Sequence, residues 1–262
     1  MKWNPLNSWM VAAVAVCTLA SAVMVGAPAD EKEKVDPKAV ELVQRMAGYL
    51  SSLDSFRVVS ETTVEVVLEN GQKLQFGSAT RTALRRPDRL RADRLGELAA
   101  ISLYYNGSQV TLYGPRQKYY ASKDAPASLD ELLPFLEDKL DLAAPGADLL
   151  YSDGGAGLLD GVQSGLYVGL AEVSGVRCHH LAFRSEGVDW QIWIEDGARP
   201  LPRKYVITTR DVEGSPQFEV ELGEWEISAN ISDAEFAFSP PKGATKIEFD
   251  QGAEAPEQEE GS

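Results

Sequence analysis

"GVDWQIWIEDGARPLPRKYVITTRD", residues 187–211, carries the pattern on which the fold turns. Polar and apolar residues alternate on both sides of "GARPLP", so the stretch reads as two strands joined by a stiff loop. Side chains in a strand point alternately to opposite faces. Trp190, Ile192 and Ile194 therefore share one face, and Asp189, Gln191, Trp193 and Glu195 the other. A tryptophan on the polar face raises a question. Either protein covers both faces, or one face lines a space meant for something else.

Outward from this hairpin the same period recurs. "FRVVSETTVEVVLENGQKLQFGSATRTALRRPDRL" (56–90) is strand, Asn70-Gly71 turn, strand, and Asn-Gly is a strong hairpin signal. Phe56, Val58, Val64, Val66 and Leu68 fall on one face, with Arg57, Glu61 and Glu65 on the other. "AAISLYYNGSQVTLYGPRQKYYAS" (99–122) repeats the arrangement with turns at Asn106-Gly107 and Gly114-Pro115. Further strands are expected in "GLYVGLAEV", "VRCHHLAFRS" and "QFEVELGEWEIS". Two segments have helical spacing instead. One starts at Asp36 as N-cap, with Pro37 in the first turn and Val40, Val43, Met46, Ala47, Leu50 and Leu53 as its stripe. The other, "SLDELLPFLEDKL" (128–140), opens on a Ser128–Glu131 capping box and carries Leu132, Leu133, Leu136 and Leu140. The Gly-rich residues 144–163 fit a short helix or a loop equally well.

Ten or eleven strands joined by short turns make a mainly β fold with helices (α+β) and an antiparallel sheet. A sheet of that size must curl, close or split. The simplest arrangement that buries both helical stripes is a curved sheet forming an open half-barrel, covered by the N-terminal and central helices. One domain over 36–249 accounts for all of these elements.

Residues 1–29 end an Ala-rich apolar run in Ala27-Pro28-Ala29, after only Lys2 as charge, which reads as a signal peptide cleaved before Asp30. An uncleaved membrane anchor is the alternative. A charged spacer (30–35) follows, and an acidic tail expected to be disordered (250–262) ends the chain. These features predict export to the periplasm or secretion. A net charge of −15 argues against nucleic acid as a partner, because phosphate binding needs clustered Lys and Arg. Loss of Cys17 with the signal leaves Cys178 alone, without an internal disulfide partner.

Catalytic signatures are wanting. No G-x-S-x-G elbow occurs, and "SDGGAG" lacks the Lys-Ser/Thr of a phosphate loop. His179 and His180 are strand neighbours and point apart, so with Cys178 they do not make a metal set. The expectation is a non-enzymatic protein without cofactor or metal. "RRPDRLR" (85–91) is the one basic cluster. Arg85, Arg86 and Arg89 form either a docking patch for an acidic envelope partner or a strand edge kept soluble by charge.

"VDWQIWIEDGARPLPRKYVITTRD", "LYGPRQKYYA", "RRPDRLRA", "GVRCHHLAFRS" and "DAEFAFSPPKGATKI" together resemble the bacterial predicted periplasmic proteins of domain of unknown function 2092. In architecture that family is similar to the lipoprotein carriers LolA and LolB, whose unclosed antiparallel barrel has helices as its lid. Their aromatic hairpin matches Trp190–Ile207, and their F-x-F-x-P-P-x-G ending matches Phe236–Gly243. The resemblance implies a cavity for a lipid or a lipoprotein acyl chain in a monomeric carrier, with Trp190, Ile192 and Ile194 as its apolar wall. It equally permits an envelope interaction or sensor protein whose core is filled by its own side chains. It carries over no catalytic or binding residue.

Overall fold

Helix α1 runs over Pro37–Ser51, and its start follows from local chemistry: the Asp36 carboxylate accepts the Lys38 N–H at 2.9 Å, and Pro37 occupies the first turn. The computed structural model describes residues 34–140, 142 and 145–249. The expected signal peptide, all of the spacer before Lys34 and the acidic tail lie outside the described residues. The buried stripe of α1 is Ala39, Leu42, Val43, Met46, Ala47 and Leu50. It is rotated slightly from the expected one, so Val40 sits at its half-buried margin.

Six strands follow as a meander: β1 (Ser55–Val67), β2 (Lys73–Arg85), β3 (Arg89–Gly96), β4 (Ala100–Tyr105), β5 (Gln109–Gly114) and β6 (Tyr119–Asp124). The Asn-Gly turns are where the sequence puts them, with Gly71 and Gly107 in the left-handed region that asparagine-glycine pairs supply. Helix α2 (Leu129–Leu140) then interrupts the strands. Its capping box forms, the Ser128 Oγ accepting from the Glu131 N–H at 3.3 Å and donating to its carboxylate at 2.9 Å. The ambiguous Gly-rich segment contains two short 3₁₀ turns, 147–150 and 156–159. A second meander comprises β7 (Ser164–Val173), β8 (Val176–Ser185), β9 (Val188–Glu195), β10 (Pro202–Thr209) and β11 (Gln217–Ile227). A single-turn helix, α3 (Asp233–Phe236), and a two-residue strand, β12 (Thr245–Lys246), close the described chain.

Among the described residues, twelve strands belong to one sheet in the order β12-β6-β5-β4-β3-β2-β1-β11-β10-β9-β8-β7. Antiparallel pairing of β1 with β11 joins the two meanders. The sheet neither splits nor closes: β7 and β12 stand at opposite edges. The count exceeds the expected ten or eleven by β12, which pairs parallel with β6 through Thr245 and Lys246 and is too short to leave a periodic signal.

Apolar residues line up across the strands. Val110, Tyr105, Leu90, Leu84 and Phe56 are successive cross-strand partners in one row. Leu181, Ile192, Tyr205 and Val220 make another. Both rows share a buried cluster with Val43, Met46 and Leu50 of α1 and Leu129, Leu132 and Leu136 of α2. The two helical stripes therefore bury against the same face of the sheet, each large side chain contributing about 1.5–3 kcal/mol. At the far end of β1 that face runs out of cover: Phe56 and Val58 are buried, whereas Val66 is exposed.

Candidate functional site

The face buried by the helices holds the three residues that the family resemblance implies as an apolar wall. Trp190, Ile192 and Ile194 are 4 %, 0 % and 0 % exposed and belong to the core cluster that contains both helices. The Trp190 ring stacks on Phe183 (centroids 4.2 Å apart, planes at 18°) and meets Tyr205 edge-on at 6.0 Å. The protein's own side chains thus occupy the space beside all three. Two surface cavities, of about 350 and 310 Å³, are lined by other residues. Trp193, the tryptophan on the polar side of β9, has its own cover. It lies on the opposite face, stacked on His180 at 4.1 Å and 9°, with the Lys204 Nζ 5.7 Å from its ring. A histidine and a lysine on flanking strands cover it, so it needs no ligand.

The core also holds polar groups that alternation alone does not reveal. Arg86 follows the end of β2, and its Nη1 donates to the Leu150 carbonyl at 3.0 Å, tying the sheet to the 147–150 turn. Its Nε and Nη2 are buried without a partner. Burial depresses the guanidinium's pKa, while the carboxylates of Asp130 and Asp153 act the other way. Trp225 packs on the same apolar cluster, 5.3 Å from the Phe56 ring, with its Nε1–H equally unpartnered. A bulge turns it inward. The β1–β11 register slips between Arg57↔Glu226 and Val59↔Gly223, and Glu224 takes a φ of 46°. Among the described residues, the buried side-chain polar atoms without a partner are these three N–H donors. A buried donor without an acceptor costs about 1–3 kcal/mol, and no protein acceptor among the described residues lies within bonding distance of these three atoms. The Arg-Pro pair and the Gly-Glu-Trp run are the only traces of this in the sequence, and neither predicts the inward turn.

The basic cluster divides. Arg85 pairs with Asp233 and donates from Nη1 to the Ile231 carbonyl at 2.7 Å. Arg89 pairs with Asp88 at 2.9 Å and reaches Asp233 at 3.8 Å. Arg57 grips the Glu235 carboxylate through Nε and Nη2 at 3.1 and 2.8 Å. Together these arginines hold α3 over a small second core of Ala83, Ala229, Ile231 and Phe236. Arg86 is not part of this clasp; it serves the core described above.

Arg57 holds the Glu235 carboxyl below its ordinary range, and Arg184 does the same to Asp189. A carboxyl that titrates lower in the folded state stabilises it above the unfolded pKa, about 4.3 for Glu. That stability is lost as pH falls through the folded value. Melting temperature is therefore expected to hold near neutrality and to fall below about pH 4.5, with a weaker decline in Arg57→Met. A pH series of thermal melts checks this.

Cys178 is fully buried, and burial pushes its thiol up to about 11, which keeps it protonated and inert at neutral pH. His179 and His180 do point apart. The first lies 3.1 Å from the Tyr167 hydroxyl through Nδ1 and 3.1 Å from Asp196 through Nε2. The second meets Gln191 at 3.0 Å.

The fold defines a class: a large open, mainly antiparallel sheet whose apolar face is buried by helices. The chain belongs to the family described as Predicted periplasmic protein (DUF2092), whose pattern it matches over residues 39–250. No curated protein matches it. Among solved structures, it is similar to an uncharacterized conserved protein from Thermus thermophilus (15 % identity, 80 % of this chain and 99 % of that one, TM-score 0.44). It is also similar to the Mycobacterium tuberculosis lipoprotein LppX (12 %, 75 % and 100 %, 0.42). A third likeness is to the Pseudomonas aeruginosa MucA/MucB complex (14 %, 77 % and 61 %, 0.40). Among the described residues, no helix is long and apolar enough to cross a membrane.

Proposed function

We propose that this chain is a non-enzymatic, monomeric binding protein of the periplasm, exported by the signal in residues 1–29. Its ligand is an apolar molecule with an acceptor-bearing head, such as a lipid or a lipoprotein acyl chain. The sheet acts as an open half-barrel with α1 and α2 as its lid. The acyl chain enters between helices and sheet beside Trp190, Ile192 and Ile194, and the head meets Arg86 and Trp225.

The observation that carries this reading is the set of orphan donors. A core built only for packing gains nothing from a buried guanidinium with two unpartnered nitrogens and an indole with a third. A carboxylate, ester or phosphate oxygen would pair with them, and a long apolar chain would suit the surrounding leucines and aromatics. Because the ligand-free core is filled, binding requires the helices to lift. The filled core also supports a second reading, an envelope interaction or sensor protein that presents only its outer surface.

Native mass spectrometry of protein extracted without detergent tests the choice. Extra mass attributable to acyl lipid, removable by delipidation, is the expected result. Ligand-free protein in repeated preparations, together with no uptake of a fluorescent fatty acid, overturns the binding proposal and leaves the envelope-partner reading.

A further inference from the structure

We infer that a second, separate site on the outer face binds carbohydrate, with room for about one pyranose ring. The cavity has a volume of about 310 Å³ and lies where the C-terminal segment folds back over β4, β5 and β6. Its apolar walls are the rings of Tyr104, Tyr120 and Phe238. Its polar lining includes Asn106, Gln109, Thr111 and Ser122, with Lys246 as the one charged group among the described residues.

That lining is unusual for this chain. The sequence has 40 acidic residues, yet among the described residues no carboxylate lines the cavity. Hydroxyl and amide groups both donate and accept, which is what a ring of adjacent sugar hydroxyls requires, since each of those also does both. Aromatic faces are electron-rich and attract the weakly positive C–H groups on the flat side of a sugar. A wholly apolar ligand would strip water from the amides and the lysine without repaying them. A polyanion would call for more than one cation. Lys246 can still accept a single acidic substituent on the ring.

The cavity is built rather than accidental. Thr111 is 3 % exposed and its hydroxyl bonds the Ser122 hydroxyl at 2.8 Å, fixing the floor. The Asn106 Oδ1 accepts the Ser108 and Gln109 N–H groups at 3.1 and 3.0 Å, which leaves its Nδ2 as a donor. Phe238 is wedged among Tyr104, Tyr113 and Tyr120 with centroids 5.3, 5.6 and 5.0 Å away. The Thr245 N–H bonds the Lys118 carbonyl in the turn before β6 at 2.9 Å and the Ile247 N–H bonds the Tyr120 carbonyl in β6 at 2.8 Å, which holds the segment down. Prior ordering of this kind reduces the entropy lost on binding.

The test uses the whole protein with fluorinated tyrosines, titrated with glucose, N-acetylglucosamine and glucuronic acid and followed by fluorine NMR. Saturable shifts of the Tyr104 and Tyr120 signals are expected with at least one sugar, at a Kd of about 1 mM. Gln109→Ala, at an exposed position that cannot unfold the chain, should weaken that binding about tenfold. No saturable shift with any of the sugars, binding unaffected by Gln109→Ala, or saturation by phenol but by no sugar would each overturn the assignment. Failure of the lipid site leaves this outcome unchanged, because the two sites share no residue.

Discussion

Trp190→Ala is expected to lower the unfolding free energy by about 3–5 kcal/mol, the largest stability loss anticipated for a single change in this chain. The indole is 4 % exposed and bears on two aromatic neighbours, Phe183 and Tyr205, so its removal forfeits both area burial and ring contacts. The sheet and α1 cannot collapse into the space, because cross-strand pairing on both sides of β9 fixes the wall. Trp193→Ala is the matched control. It removes the same side chain from the other face, where the partners are the His180 ring and the Lys204 stem, and should cost no more than about 1–1.5 kcal/mol. Urea unfolding of the two variants separates the faces. Equal losses would contradict the assignment of Trp190 to the core and Trp193 to the outside.

Arg86→Met should show the opposite signature: little or no loss of stability, and at least a tenfold loss of affinity for a carboxylate-headed acyl ligand. Methionine reproduces the length of the arginine stem without its charge or donors. The change forfeits one bond to the Leu150 carbonyl, and it also removes two buried nitrogens, Nε and Nη2, that have no partner. Each side of that exchange is of order 1–3 kcal/mol, so the unliganded protein is expected to be within about 1 kcal/mol of the parent, or more stable. An arginine kept only to brace the 147–150 turn would behave differently: its loss would destabilise the fold by about 3 kcal/mol or more and leave ligand affinity alone. Thermal melts read beside fluorescent fatty-acid titrations distinguish the two.

Much of this architecture was legible because it rests on local rules. The period of two in "VDWQIWIE", the Asn-Gly turns and the Ser128–Glu131 box each declare their element within a few residues. What stayed hidden depends on distant partners. Nothing near Ser55 says that β1 will pair with β11, some 160 residues on in the chain, because pairing register is a tertiary choice. The two-residue β12 and the four-residue α3 are too short for any period. Arg85 and Arg86 look alike in "RRPDRLR", yet one clasps Asp233 and the other enters the core. Trp225 faces inward only because a bulge at Glu224 shifts the alternation. The burial of Trp190, Ile192 and Ile194 could therefore be read from the alternation, and the inward polar groups could not.

The most direct measurement is photo-cross-linking of the intact protein with a fatty acid carrying a diazirine in its tail, followed by peptide mapping. Adducts on the peptides containing Trp190–Ile194 and Trp225, suppressed by excess unlabelled fatty acid, are the predicted outcome. Adducts confined to the outer face, or none that competitor removes, would contradict a binding space between the helices and the sheet.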